Sequence, residues 1–238
     1  MASPCIACGV GCSPEACDRR DAVSAGDTLD TRQLPAIIAH HHSPAAATAM
    51  IAIRPLTHFD PARLTAIASG YMTAERYRVS RAETDSLTSF RLALEALPAP
   101  EVFRFPFGDE DLERYAALVP NDFCLGAWDG QEQVAITLAG RHDWNQTLWV
   151  WEFHVSETYR GRGIGRQLME ALATRAATAN LRAMVCETQN TNVAAIRFYR
   201  SVGFTLDGVD ISYYTNHDIE PGGTVAVFGC GGVGLSAI

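Results

Sequence analysis

A chain of 238 residues, 47% hydrophobic and 19% charged, has room for one sizeable domain with extensions or for two small ones, and its composition is that of a folded globular protein. A formal net charge of −8 at pH 7 argues against non-specific binding to nucleic acid or to anionic membranes, which needs an excess of lysine and arginine. The longest uncharged apolar stretch near the N-terminus, residues 45–53, is too short to span a bilayer, and no basic start followed by an apolar segment marks a secretory leader; small-molecule chemistry in the cytoplasm is the expectation.

Residues 1–49 show neither helical nor strand periodicity and are rich in alanine, serine and proline, so they read as a low-complexity, loose extension. Four of the seven cysteines, Cys5, Cys8, Cys12 and Cys17, fall within it. With a single C-x-x-C pair and few residues for a core, this cluster is a poor disulfide framework and a poor zinc knuckle, even with His40, His41 and His42 beyond it, and no metal is expected.

The folded domain is expected over residues 50–228. Asp60 is a helix cap ahead of Leu64 and Ile67 at helical spacing. Residues 76–83 and 89–97 form a strand pair, and 109–118 a helix with acids at its start. Strands at 123–128 and 134–139 flank the turn residues Asp129 and Gly130, and 148–155 is a strand rich in β-branched and aromatic residues. Ile164, Leu168, Leu172 and Ala176 make one stripe and Arg166, Glu170 and Thr174 the opposite one, so 163–179 is an amphipathic helix. A strand at 182–188 precedes a helix at 191–202 that stops at Gly203, and strands near 204–206, 211–214 and 224–228 close the domain. This order predicts an α/β architecture with a mixed sheet.

The run Arg160, Gly161, Arg162, Gly163, Ile164, Gly165 sits between a strand and a helix, where it has chemical meaning. Glycines let the backbone approach a diphosphate, the first helical amides point at it, and the arginines add charge. A glycine-rich turn needed only for packing is the competing reading.

Followed by Arg166, Gln167 and Leu168, this run resembles the coenzyme-A-binding motif of the GNAT superfamily of N-acetyltransferases. The segment from Asn192 through Tyr199 to Gly203 and Phe204 is similar to that family's second signature. More narrowly, the runs ETQNTN (187–192) and FYRSVGFTLDG (198–208), with Trp144 and Asn145, resemble the streptothricin acetyltransferase group.

The resemblance implies the GNAT fold, a mixed, mostly antiparallel central sheet flanked by helices, with acetyl-CoA as co-substrate and a small-molecule primary amine as acceptor. Streptothricin, acetylated on its β-lysine amine with antibiotic resistance as the consequence, is the leading acceptor. Another small amine, a protein amine, or non-catalytic acyl-CoA binding are the alternatives. It implies that Phe153 and Val155 hold the acetyl and pantetheine portion, that residues Arg160, Gly161, Arg162, Gly163, Ile164, Gly165 and Arg166 hold the diphosphate, with Asn192 beside them, and that Tyr199 protonates the departing thiolate. A phenol suits that task; packing alone is the other role open to Tyr199. Strand alternation puts Glu152 and His154 on one face and Trp151 and Phe153 on the other, so both ionisable groups can line one cleft and either can relay a proton through water; Glu152 is the candidate base, a solvated or salt-bridged Glu152 without a catalytic role is equally open, and His154 reads more as structural. The streptothricin group tends to carry an acidic pair here, and this chain has Trp151 in place of the first acid.

The tail, residues 229–238, spells the dinucleotide fingerprint G-x-G-x-x-G at Gly229, Gly231 and Gly234, with no following helix or second strand to complete a nucleotide domain. It reads as a glycine-rich appendage.

Overall fold

A computed structural model describes residues 51–232; the expected N-terminal extension with its four cysteines, and residues 233–238, lie outside the described residues. The elements run β1 (Ala52–Pro55), α1 (Pro61–Ile67), β2 (Tyr71–Glu83), β3 (Thr88–Phe103), α2 (Asp109–Leu118), β4 (Leu125–Asp129), β5 (Glu132–His142), β6 (Thr147–Val155), a 3-10 turn (Glu157–Tyr159), α3 (Ile164–Thr178), β7 (Ala183–Gln189), α4 (Val193–Ser201), β8 (Thr205–Asp210) and β9 (Ala226–Gly232).

Seven strands form one sheet in the order β1-β4-β5-β6-β7-β9-β8, antiparallel throughout except for β6 and β7, while β2 and β3 pair as a separate long ribbon. Side-chain alternation along β5 divides the core. Ala135 and Ala139 pack with Leu168, Leu172 and Ala176 of α3, whereas Ile136 and Leu138 pack with Leu64 and Ile67 of α1 and Tyr115 of α2. Helices therefore cover both faces. The expected stripe on α3 is the buried one, with Arg166, Glu170 and Thr174 exposed.

Local chemistry sets the boundaries. Asp60 accepts hydrogen bonds from the Ala62 and Arg63 amides at the start of α1, and Asn192 accepts one from Ala195 at the start of α4. Asn190, buried, accepts from the Val225 amide at 2.9 Å and donates to the Tyr77 carbonyl at 2.8 Å, which ties the ribbon to the sheet.

Two expectations are corrected. The run 211–214 is not a strand, because Asp218 takes the backbone amides of Tyr214 and Thr215, each at 2.8 Å, and folds the segment into turns. The expected final strand continues to Gly232, so Gly229 to Gly232 are not an appendage. They pair with β7, and a β-carbon on Gly231 would lie 3.1 Å from the Phe204 ring, so this glycine is bare because an aromatic ring lies on it. No helix among the described residues is long and apolar enough to cross a membrane.

Candidate active site

The loop after β6 is shaped by glycine. Gly161 (φ 73°) and Gly163 (φ 80°) adopt the left-handed conformation that costs a side-chain-bearing residue about 1–2 kcal/mol. Gly163 is the N-cap of α3, and Gln167 is the residue whose amide first returns to it, at 3.1 Å, so the amides of Ile164, Gly165 and Arg166 have no partner within the helix. A β-carbon on Gly165 would lie 3.2 Å from the Phe198 ring; its absence lets α3 begin against α4. The arginines act as braces at this mouth. Arg160 donates through Nε to the Val155 carbonyl (3.0 Å) and through Nη2 to that of Gly70 (3.2 Å), and Arg166 donates to the Ser201 carbonyl at 2.8 Å. Arg162 lies 4.7 Å over the Tyr159 ring.

Beside this cradle the sheet opens. Strands β6 and β7 are paired from Thr147–Ala183 to Val150–Cys186, after which they part, and β6 runs on to Val155 paired only with β5. The Ser156 amide donates to the Val134 carbonyl at 2.8 Å, which fixes the alternation: Glu152 and His154 spend their backbone groups on β5, and those of Phe153 and Val155 face the gap. Cradle and gap open on one cleft of about 420 Å³. Of the expected residues, Phe153, Val155, Arg160, Gly161, Gly163, Ile164, Gly165, Arg166, Asn192 and Tyr199 line it, and Arg162 and Glu152 do not.

A register shift explains where Glu152 goes. Leu138 faces Glu152 and Ala139 faces Val150, so Trp151 is an extra residue, a β-bulge. The bulge breaks the alternation: Phe153 joins the α3-side core and Trp151 the opposite one, correcting the expectation that the two share a face. Glu152 and His154 remain together. Glu152 accepts from the Tyr115 hydroxyl and meets His154 Nε2 at 2.5 Å, with 13% and 11% of the Glu152 and His154 side chains exposed, and it is His154 that reaches the cleft wall.

Tyr199 lies among Phe153, Phe198 and Phe204, with centroids at 6.4, 5.5 and 5.4 Å. Burial pushes its phenol well above the ordinary 10.0, so it holds its proton over the whole working range. Opposite, on β7, burial pushes the Glu187 carboxyl up to about 7, and Tyr214 donates its hydroxyl to it.

The sequence pattern of the Acetyltransferase (GNAT) family matches residues 90–204, which run from within β3 past the end of α4 and include the glycine loop, the parted strands and Tyr199. The chain carries a GNAT acetyltransferase domain. It is 35% identical over 91 residues to a streptothricin acetyltransferase of Escherichia coli, a match covering 38% of this chain and 52% of that protein, so the chain spans about half the length of this curated relative. Two solved structures share the GNAT fold. A nourseothricin acetyltransferase superposes with a TM-score of 0.61 at 24% identity, covering 77% of this chain and 98% of that one. A Bacillus anthracis candidate streptothricin acetyltransferase in complex with acetyl coenzyme A gives 0.61 at 20% identity, covering 78% and 98%.

Within the GNAT domain the sequence reading missed three residues of the site. His154 shares a face with Glu152 as alternation predicts, but it reads as structural, and its place on the cleft wall beside Phe105 and Phe107 is a tertiary feature. Glu187 stands inside the ETQNTN run, but its burial depends on Tyr214, 27 positions away. Tyr71 lines the cleft from β2 with its hydroxyl 2.8 Å from that of Thr191, a contact across 120 positions that no local pattern carries.

Proposed function

We propose that this chain transfers the acetyl group of acetyl-CoA to a primary amine of a small molecule. The observation that carries the reading is the parted pair β6/β7 with a glycine-shaped helix mouth opening on the same cleft. The parted strand turns the backbone groups of Phe153 and the amide of Val155 towards an extended amide chain such as pantetheine, while the Val155 carbonyl holds Arg160, and the free amides at the start of α3 suit a diphosphate. Catalysis is then positioning and proton handling. The amine attacks the thioester carbon, Tyr199 is the acid that meets the departing thiolate, and the base belongs to the Glu152 side of the cleft.

Streptothricin is the leading acceptor. The ETQNTN and FYRSVGFTLDG runs and the likeness to streptothricin and nourseothricin acetyltransferases support it, as does an acidic chain of net charge −8, which suits a cationic acceptor. Acetylation of its β-lysine amine would remove a positive charge, and resistance to the antibiotic would follow.

Thiol release from acetyl-CoA tests this, with streptothricin, lysine, polyamines and aminoglycosides as acceptors and calorimetry for acetyl-CoA binding. Fastest release with streptothricin is expected. Release with another amine alone replaces the acceptor; binding without release for any amine reduces the domain to an acyl-CoA-binding module.

A further inference from the structure

The cleft wall on the acceptor side ends in an imidazole backed by a carboxylate. His154 Nε2 lies 2.5 Å from Glu152 Oε2, a separation that requires a shared proton, since two bare lone pairs would repel. Glu152 is held from behind by the Tyr115 hydroxyl, whose own neighbour is the Arg114 guanidinium, with its carbon 5.2 Å from the Tyr115 ring centroid. Phe105 stands 4.9 Å from the imidazole centroid at 63°, and Phe107 6.4 Å away at 83°, so two rings wall it in. A neutral imidazole that donates Nε2–H to Glu152 would present its lone pair at Nδ1, and no protein donor among the described residues meets that nitrogen.

We propose that His154 is the group that accepts the proton of the acceptor ammonium, with Glu152 as a positioning carboxylate that fixes its tautomer. This inference rests on the acetyltransferase reading and refines it. The ammonium R–NH3+ gives one proton to Nδ1, leaving an imidazolium paired with Glu152. The neutral nitrogen attacks the thioester carbon; the C–N bond forms and the C–S bond breaks. The thiolate takes the proton of Tyr199, the second nitrogen proton restores the phenol, and His154 returns its proton to solvent, so one proton is released per amide formed.

The other titratable groups around this dyad are Tyr115 from α2, Glu187 from β7, Tyr199 from α4 and Tyr71 from β2. Tyr71, Tyr115 and Tyr199 are all pushed above 10.0 by burial and stay protonated, and Glu187 is engaged by Tyr214.

The test compares wild type, His154→Gln, His154→Ala and Glu152→Gln in thiol release across pH, with acetyl-CoA affinity by calorimetry. His154→Gln should lose on the order of 10²-fold or more in kcat while binding acetyl-CoA as before, and should lose the low-pH limb of kcat/KM. Added imidazole should return about tenfold to His154→Ala and nothing to Glu152→Gln, which should keep the limb at a lower kcat. A limb that survives in His154→Gln and vanishes in Glu152→Gln makes Glu152 the base and overturns the dyad while the acetyltransferase reading stands. A wild type that binds acetyl-CoA but acetylates no amine overturns both. Should the variants misfold, two-bond ¹⁵N–¹H correlations of ¹⁵N-histidine-labelled wild type decide: His154 protonated at the nitrogen facing Glu152 supports the assignment, and the opposite tautomer ends it.

Discussion

Removing one oxygen atom separates the chemistry of Tyr199 from its packing. Its ring is held by Phe153, Phe198 and Phe204, whereas its hydroxyl has no hydrogen-bond partner among the described residues. Tyr199→Phe should therefore leave urea stability and acetyl-CoA affinity within error and lower thiol release by about 10²-fold or more. A variant with wild-type turnover would return Tyr199 to a packing role. Glu187 makes a thermodynamic prediction. Its folded pKa of about 7 lies above the ordinary 4.5, so the protonated carboxyl favours the folded state; that contribution is complete below pH 4.5 and is lost as pH rises through 7. The shift corresponds to at most about 3 kcal/mol. Thermal melts of wild type should accordingly fall between pH 4.5 and 8 by several degrees more than those of Glu187→Gln, and parallel curves would refute the buried carboxyl. The left-handed turn at Gly163 and the place of Tyr199 on the cleft were legible because their motifs are local. The burial of Glu187 was not, since it is set by residues distant in sequence, and for His154 alternation gave the face but not the aromatic wall around it.

Elements bounded by side-chain caps were readable, and elements bounded by tertiary contacts were not. Helix α2 falls on the expected residues, where Asp111 accepts from the Gly108 amide at 3.2 Å, and α4 stops before Gly203 as expected, because Asn192 and Gly203 (φ 91°) mark its two ends in place. The ribbon β2/β3 runs further than its apolar pattern suggests, since Tyr71 and Phe103, stacked at 5.0 Å, extend it inward to the cleft. Of the fingerprint glycines, Gly231 is needed bare under the Phe204 ring, a packing reason that a phosphate-binding pattern in sequence does not distinguish. Asn190 shows how one side chain joins elements. Its amide holds the Tyr77 carbonyl of β2 and the Val225 amide that leads into β9, and its own backbone bonds the same two residues. Asn190→Ala leaves two inward-facing backbone groups unpaired and should cost about 2–4 kcal/mol in urea unfolding. Hydrogen exchange should quicken at Tyr77 and Val225 in particular; a uniform loss of protection would place the damage elsewhere.

At the scale of the molecule, charge is divided between the two ends of the cleft. Arg160 and Arg166 line the cleft at the helix mouth, His154 lines it with Glu152 behind, and the whole chain carries −8. The proposed cationic acceptor would be drawn by the overall field, whereas the field would oppose an anionic co-substrate that the arginines attract only at short range. Salt shortens the reach of the field from about 10 Å at 0.1 M to about 3 Å at 1 M. Raising ionic strength should thus lower kcat/KM for a polycationic amine several-fold through KM, lower it less for a monoamine, and leave kcat unchanged. Steady-state kinetics with two acceptors of different charge at matched pH measures this directly. Equal salt sensitivity for both would mean that recognition of the acceptor is confined to contact distance, and that the acidity of the chain has no part in it.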